Sequence, residues 1–306
     1  MIKVEIKKIV KLSLLYIVFC FGLQPAVAQK TKQLVLISLD GVSVDGVERA
    51  NAPVIDSLMK AGAFSLDTRV VMPSITLPNW TSMLTGSGPE QHGVVDNGWK
   101  IDKYVLPPAE KDEDGYYPSV FSVLKKQMPH VRTAFYYNWG DLINTYNKKY
   151  LDETSFLEND GYKENYHKAF NFIKDNKKNS FLIFLYSGHT DNAGHKHQWK
   201  TDGYLKSIEE ADKVIGEFLG ALKKEGLDKN IHFMFLSDHG GIGYGHGGVT
   251  VDEMLVPWSI SGPRVRAGYK IEEPNNTINT GAVILKLFNA KAPRAWIGRV
   301  PQGVFK

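Results

Sequence analysis

The sequence predicts an α/β protein, a doubly wound and mostly parallel sheet with helices on both faces. Three observations carry this expectation. Short apolar runs end in turns at 34–40 (LVLISLD), 70–76 (VVMPSIT), 181–191 (FLIFLYSGHTD) and 232–240 (HFMFLSDHG), and such runs read as buried parallel strands. The stretch 200–225 repeats Tyr204, Ile208, Ala211, Ile215, Phe218 and Leu222 at alternating spacings of four and three, a helical core stripe. Strand-like and helix-like segments alternate down the chain, as a sheet covered by helices requires.

Residues 1–28 stand apart from this pattern. Lys3, Lys7, Lys8 and Lys11 precede an apolar stretch at 12–23, and Ala26-Val27-Ala28 gives the small-x-small cleavage pattern of a secretory signal. The apolar stretch falls short of the roughly 20 residues that cross a bilayer. Cleavage is expected to leave 29–306 as a single domain with no membrane span, exported to the periplasm or secreted. It also removes four Lys and one Glu, so the net charge falls from +4 to +1. No basic face for nucleic acid is evident. Cys20 is the only cysteine and lies in the leader, where Phe19 spoils a lipoprotein signal. Disulfides, thiolate nucleophiles and thiolate metal ligands are thereby excluded from the mature chain.

The elements follow in order. After the strand at 34–40, residues 51–62 (NAPVIDSLMKAG) read as a helix closed by Gly62. Residues 99–116, with Pro107, Pro108 and the charged run KDEDG, read as a surface insertion whose charges are solvated. A helix at 117–128 stops before Pro129, and RTAFYYN at 132–138 reads as a strand. The long helix at 200–225 and a final helix near 277–289 complete the pattern.

In an open α/β sheet the carboxyl ends of the strands share one edge, where ligands bind. Asp40, Thr76, Asp191, His195, Asp238 and His239 follow the strand-like runs, and His246 lies in a Gly-rich stretch nearby. Brought to one edge, they suit two divalent metal ions and a nucleophile. Asp191 and His195 are four apart, which puts both on one face of a helical turn. In Asp238-His239-Gly240-Gly241 the glycines let the backbone turn so that carboxylate and imidazole converge. Asp40-Gly41 is also an ordinary turn signal, and His246 in GHGG is also an incidental loop residue. Thr76 sits before TLPNWTSML, which reads as a helix start with Pro78 in the first turn. A helix N-terminus favours anions, and metal coordination turns a hydroxyl into a nucleophile; the plain alternative is a Thr cap. His92 reads as a structural support, and His130, His167, His189, His197 and His232 show no partner pattern.

Five segments in this order carry a resemblance: LISLDG, MPSITLPNWTSMLTG, GPEQHGVVDN, HTDNAGH, and SDHGGIGYGHGG followed by EMLVPWSISGP. They resemble the alkaline phosphatase superfamily, especially its type I phosphodiesterase/nucleotide pyrophosphatase branch, across the mature chain. The resemblance implies an alkaline-phosphatase-like fold and a metal-dependent hydrolase of phosphodiester or pyrophosphate bonds in small, nucleotide-like phosphate esters. Asp191, His195 and His246 would hold one metal. Asp40, Asp238 and His239 would hold the other, with Thr76 bound to it and forming a phosphothreonine, while Asn97 donates to a phosphoryl oxygen. Zinc suits such a donor set, and manganese or iron is also compatible.

On the substrate side the chain departs from its relatives. Nucleotide-cleaving members carry an aromatic directly after the nucleophile, where this chain has Leu77; Tyr186 matches the other wall of their base-stacking slot. Monoester-cleaving relatives use a Lys-x-Arg pair, and the corresponding stretch here is Tyr137-Asn138-Trp139. Leu77, Tyr137, Trp139 and Tyr186 are therefore the expected substrate pocket. Tyr136, Trp80 and Trp99 are either further aromatic walls or core. A phosphomonoesterase on the same bimetallic site is the alternative activity, and a catalytically silent metal- or phosphate-ester-binding protein is the alternative class. A sulfatase is excluded by the missing cysteine or serine signature. Protein recovered from fractionated cells is expected to begin at Gln29; an intact mass matching a cytoplasmic chain that starts at Met1 would contradict the leader.

Overall fold

The computed structural model describes residues 32–306, so the leader expected at 1–28 lies outside the described residues. The first half contains β1 (Gln33–Leu39), α1 (Val44–Arg49), α2 (Pro53–Lys60), β2 (Ala63–Arg69), α3 (Thr76–Thr85), α4 (Pro89–His92), α5 (Val120–Gln127), β3 (Arg132–Tyr137) and β4 (Glu153–Phe156). The second half continues with α6 (Tyr162–Asp175), β5 (Phe181–Ser187), α7 (His189–His197), α8 (Asp202–Lys224), β6 (Ile231–Leu236), α9 (Val251–Met254), β7 (Leu255–Ser261), β8 (Tyr269–Lys270), β9 (Asn275–Asn276) and α10 (Asn279–Phe288). Among the described residues no helix is long and apolar enough to cross a membrane.

One sheet runs β4-β3-β5-β1-β6-β7-β2-β8, with β9 added beside β2. It is parallel except at β7, which is antiparallel to both β6 and β2. Side-chain alternation along the strands builds two cores. Leu34, Leu36, Phe184 and Leu236 face one layer, covered by α3, α5 and α10. Val35, Ile37, Ile183 and Phe235 face the other, covered by α1, α2, α6 and α8. Both faces of the central strands are therefore apolar, which explains their unbroken hydrophobic runs. Each fully buried Leu or Phe contributes about 1.5–3 kcal/mol.

Residues 70–76 correct one expectation. They form no strand; β2 ends at Arg69, and the segment is a loop that turns directly into α3. Several of its backbone groups bond to a side chain instead of a ladder. Asn79 accepts from the Val71 N–H at 2.8 Å and donates to the carbonyls of Pro73 and Ile75 at 3.0 Å each. The charged run at 111–115 is likewise more than solvated surface. Lys149 pairs with Glu113 and Asp114, and the Asn147 amide donates to Asp112 and Asp114 at 2.8 Å each.

Helix α2 has no side-chain cap of its own, since Ala52 occupies the cap position. Asp212 of α8 fills that role from across the packing interface, accepting from the Ile55 N–H at 2.7 Å. Asp212→Ala is expected to lower unfolding free energy by about 1–2 kcal/mol, whereas Asp212→Asn keeps most of it. Urea denaturation of the three proteins checks this.

Candidate active site

The carboxyl edge of the sheet gathers the polar residues. Asp40 directly follows β1, and its backbone N–H bonds to the Ser187 carbonyl at the end of β5. Asp191 and His195 lie one turn apart on α7, with Nε2 and Oδ2 3.4 Å apart. Asp238 and His239 follow β6. Gly41 makes this convergence possible. Its φ is +69°, and a Cβ there would lie 2.9 Å from the Asp191 Cα. Only glycine fits that conformation and that gap.

Two clusters result. Asp40, Asp238 and His239 bring ligand atoms within 4.8 Å of one another, and Asp191, His239 and His246 form a second such group. His239 therefore reaches both groups. His195 lies outside the tighter second group, half-exposed beside Asp191. The His246 Nε2 is 3.6 Å from Asp191 Oδ1, and the His239 and His246 rings stack with centroids 3.7 Å apart. Thr76 is the first helical residue of α3, after the uncapped Ile75, so its hydroxyl performs no capping. Its Oγ1 lies 3.3 Å from the His239 Nε2.

The donor set fits metal ions on two counts. Each carboxylate has one anchored oxygen or imidazole contact and one orphan. Asp40 Oδ2 accepts from the Tyr186 hydroxyl at 2.6 Å and Trp80 Nε1 at 3.3 Å; Asp238 Oδ1 accepts from the Gly41 N–H at 3.1 Å. Asp40 Oδ1, Asp238 Oδ2 and Asp191 Oδ1 are buried with no hydrogen-bond partner. Such an atom costs about 1–3 kcal/mol or more unless a cation meets it. The imidazoles are anchored in the same way. Nδ1 of His195, His239 and His246 bonds to the carbonyls of Tyr244 (2.8 Å), Gly240 (2.9 Å) and Ser74 (3.0 Å) respectively. With Nδ1–H donating, Nε2 is the nitrogen each ring turns toward the cluster, as in metal-ligating histidines; on His239 it lies 3.3 Å from Asp40 Oδ1 and Asp238 Oδ2 and holds a proton that a bound cation would displace.

Charge repulsion points the same way. Burial, and then the neighbouring Asp40 charge, push Asp191 up to about 7 and Asp238 well above the usual carboxylate range. Burial opposes a charged His239, but the carboxylates of Asp238 and Asp40 outweigh it and raise it to about 10. Burial and the His239 charge together lower His246 to about 4. A cation at each group would let all three carboxylates ionise.

Comparison with known proteins agrees with this architecture. The type I phosphodiesterase/nucleotide pyrophosphatase family matches residues 34–261. The chain belongs to that family. It is a family of hydrolases, and curated members share low but extended similarity. A pyrophosphatase/phosphodiesterase of Schizosaccharomyces pombe is 29% identical over 228 residues, 68% of this chain and 44% of the relative. Ectonucleotide pyrophosphatase/phosphodiesterase family member 1 of Rattus norvegicus is 26% identical over 226 residues, 67% of this chain and 23% of the relative. The chain thus matches less than half the length of these relatives. Among solved structures, an inactive variant of murine ectonucleotide pyrophosphatase/phosphodiesterase 5 in complex with AMP superposes with TM-score 0.73 at 15% identity. That match covers 89% of this chain and 98% of the murine one, and shows a shared fold.

Within this family member, the expected substrate wall is only partly at the cleft. A cleft of about 180 Å³ is lined by Thr76, Asn97, Asn138, Trp139 and Tyr186 among the metal-ligand candidates. The Leu77 side chain is fully buried beneath α3, and Tyr137 packs against Phe135 and Phe156 in the same core. Neither offers a face to a ligand. Tyr186 is 2% exposed, its ring edge-on to Trp80 and its hydroxyl engaged by Asp40. It braces a ligand more than it forms a stacking wall. Trp80 does the same from α3, and Tyr136 is core, its hydroxyl donating to Glu153 at 2.6 Å. Trp99 is buried and stacks with Tyr104. Asn97 Oδ1 accepts from the Leu77 N–H at 2.8 Å, which turns its amide nitrogen outward. His92 supports α3: its Nδ1 accepts from the Val94 N–H, so Nε2 donates to Ser82 at 2.9 Å.

Three supporting residues lie outside the expected site, and two of them, Ser74 and Trp199, have no sequence signal of their own. Ser74 Oγ donates to the Gly248 carbonyl at 2.7 Å and accepts from the Gly247 N–H at 3.1 Å. Glu253 accepts from the N–H groups of Gly248 and Thr250 and holds the loop that carries His246. Trp199 donates to the Gly41 carbonyl at 2.8 Å and packs edge-on against His195. Only the [ST]-x-x-E spacing of Thr250 and Glu253 marked a local cap.

A metal-depleted sample is expected to gain several degrees in Tm on addition of zinc and to release protons as it binds. The protons come from groups raised to about 7 (Asp191) and about 10 (His239), so apparent affinity weakens as pH falls. Calorimetry in two buffers of different ionisation enthalpy measures the release; a titration that releases none would contradict the site.

Proposed function

We propose that this chain is a metal-dependent hydrolase of phosphodiester or pyrophosphate bonds in nucleotide-like substrates, acting outside the cytoplasm through a phosphothreonine at Thr76. The observation that carries this reading is the Thr76 hydroxyl. It is free of capping, stands at the start of α3, faces the cleft, and lies 3.3 Å from a histidine common to both carboxylate–imidazole groups. Names of matched relatives, ectonucleotide and venom phosphodiesterases, accord with export.

Asp40, Asp238 and His239 would hold one ion, and Asp191, His195 and His246 the other, zinc matching a thiolate-free Asp/His set best. Bound there, divalent cations lower the pKa of a coordinated hydroxyl and neutralise phosphoryl charge. Thr76 Oγ gives up its proton and forms a bond to phosphorus. The bond to the leaving alcohol or phosphate breaks, and the leaving oxygen keeps the electron pair and takes a proton from water. Water then attacks the same phosphorus, the Oγ–P bond breaks, and Thr76 regains its proton. Asn97 is held by the Leu77 N–H, so its amide nitrogen is ready to donate to a non-bridging oxygen at no reorganisation cost.

The lining of the cleft favours diesters. Among the described residues, no Lys or Arg lines it. A monoester carries about one more negative charge than a diester near pH 8, and a site built for that charge places a cationic fork on it.

Thr76→Ala is expected to lose at least about 10³-fold in kcat while still folding and loading metal, and Thr76→Ser to keep part of it. Asn97→Ala should lower kcat by about 10²- to 10³-fold with little change in KM. Bis-p-nitrophenyl phosphate should show higher kcat/KM than p-nitrophenyl phosphate. An alanine variant with near wild-type turnover would remove Thr76 from the mechanism, and a monoester preference would make the chain a phosphatase.

A further inference from the structure

Asn97 is followed by Gly98, and it is the only asparagine in the sequence with glycine after it. Asparagine is among the thermolabile side chains, and its chemistry depends on the next residue. If the Gly98 nitrogen bonds to the Asn97 side-chain carbon Cγ, a five-membered imide closes. A side chain on the following residue crowds that approach, and glycine has none. The pair forms a turn at the surface, with Gly98 exposed and Asn97 partly so. Beyond its chain neighbours, a Cβ at Gly98 would meet only Asp96 Oδ1 among the described residues, at 3.2 Å. The nitrogen is open to the reaction.

The hydrogen bonds around the pair divide into one that assists ring closure and one that opposes it. Asn97 Oδ1 accepts from the Leu77 N–H at 2.8 Å, in the first turn of α3. That donor meets the oxygen on which negative charge collects when Cγ is attacked, as an oxyanion hole does. The opposing bond lies on the nitrogen. The Gly98 N–H donates to Asp96 Oδ1 at 2.8 Å. This nitrogen must lose its proton before it attacks, and the Asp96 carboxylate beside it disfavours a second negative charge. Closure must also break that bond.

We propose that Asn97–Gly98 is a site of spontaneous deamidation, held in check by Asp96, through which the chain loses the amide that faces its substrate. The Gly98 nitrogen gives its proton to hydroxide, and its electron pair bonds to Asn97 Cγ. The Cγ–Nδ2 bond breaks, and Nδ2 leaves as ammonia, keeping the bonding pair and taking a proton from water. Water then opens the imide. Cleavage between Cγ and the Gly98 nitrogen leaves aspartate, and cleavage between that nitrogen and the Asn97 main-chain carbonyl leaves isoaspartate. Either product puts a carboxylate where Asn97 offers an N–H, so a phosphoryl oxygen meets repulsion in place of a donor. The place of conversion stands on the structure alone, and its effect on turnover rests on the role proposed above for Asn97.

Peptide mass spectrometry of the metal-loaded protein, held in warm and mildly alkaline buffer, reads conversion residue by residue. Asn97 should convert ahead of every other asparagine. Asp96→Ala should raise its rate about tenfold, as expected for losing one hydrogen bond to a charged group at an exposed position. Asp96→Asn keeps an acceptor without the charge and should fall between; it decides the role of Asp96 if the alanine variant lowers Tm. Gly98→Ala should slow conversion at least about tenfold by crowding the nitrogen. An Asn97 that converts no faster than the other asparagines would overturn the site, and equal rates in wild type and the folded Asp96 variants would overturn the check. Turnover of bis-p-nitrophenyl phosphate by wild type should fall in step with the converted fraction. Conversion with undiminished turnover would overturn the inactivation and count against Asn97 in the reaction. Absence of turnover at the outset would count against the activity, and the masses would still decide the site.

Discussion

Three carboxylates, those of Asp40, Asp191 and Asp238, are brought into one largely water-free cluster at the carboxyl edge of the sheet. Each is drawn toward the others by the convergence of separate strand ends, and each repels the others electrostatically. The surrounding structure is organised to tolerate that repulsion. Tyr186, Trp80 and the Gly41 amide occupy one oxygen of Asp40 or Asp238 and leave the other oxygen free. These bonds orient the carboxylates; they cannot neutralise them. In a medium of low effective dielectric, a charge deficit of this size is met by cations or by protons, and the raised values at Asp191 and Asp238 show the second option competing with the first.

The same constraint explains why so much of the neighbourhood is cross-tied. A cluster of like charges gains by spreading apart, and loops are the compliant parts of a fold. Here the loop before Thr76 and the loop after His246 are stitched together. Ser74 contacts Gly247 and Gly248, its carbonyl takes the His246 Nδ1–H, and Val70 donates to the Met254 carbonyl. Nucleophile and ligands are thereby positioned against each other, and not only against the sheet. Gly41 and Trp199 perform the matching task between β1 and α7.

Much of this was legible in the chain because burial on both faces leaves an unbroken apolar run, as in β1, β5 and β6. The loop at 70–75 reads as a strand for the same reason. Val70, Val71, Met72 and Ile75 are apolar by composition, while the decisive partner, Asn79, looks like any polar residue of a helix. Leu77 could have been placed correctly. With Trp80 and Leu84 it makes a three- and four-residue stripe, the mark of a helix face turned to the core. Position in a motif puts Tyr186 at the cleft, and β5 turns it to the same face as Leu182 and Phe184, at the end of the strand that borders the cleft. That its hydroxyl is engaged by Asp40, some 146 residues away, depends on a strand pairing that local pattern does not encode. Ser74 and Trp199 were invisible on the same ground.

The reversed direction of β7 has a consequence for how such a scaffold diversifies. A crossover between parallel strands must carry the chain to the far edge of the sheet before it can return. The connection from β6 to β7 leaves and re-enters at the same edge, and its residues 237–254 supply Asp238, His239, His246 and Glu253 along the way. Between its ligand residues, a stretch anchored at both ends beside the chemistry can take added residues without shifting the register of any strand. It is the place where new chain length translates directly into a new roof over the cleft. Added length there alters what the site admits, while Asp238 and His239 stay where the end of β6 holds them and His246 stays tied to Ser74.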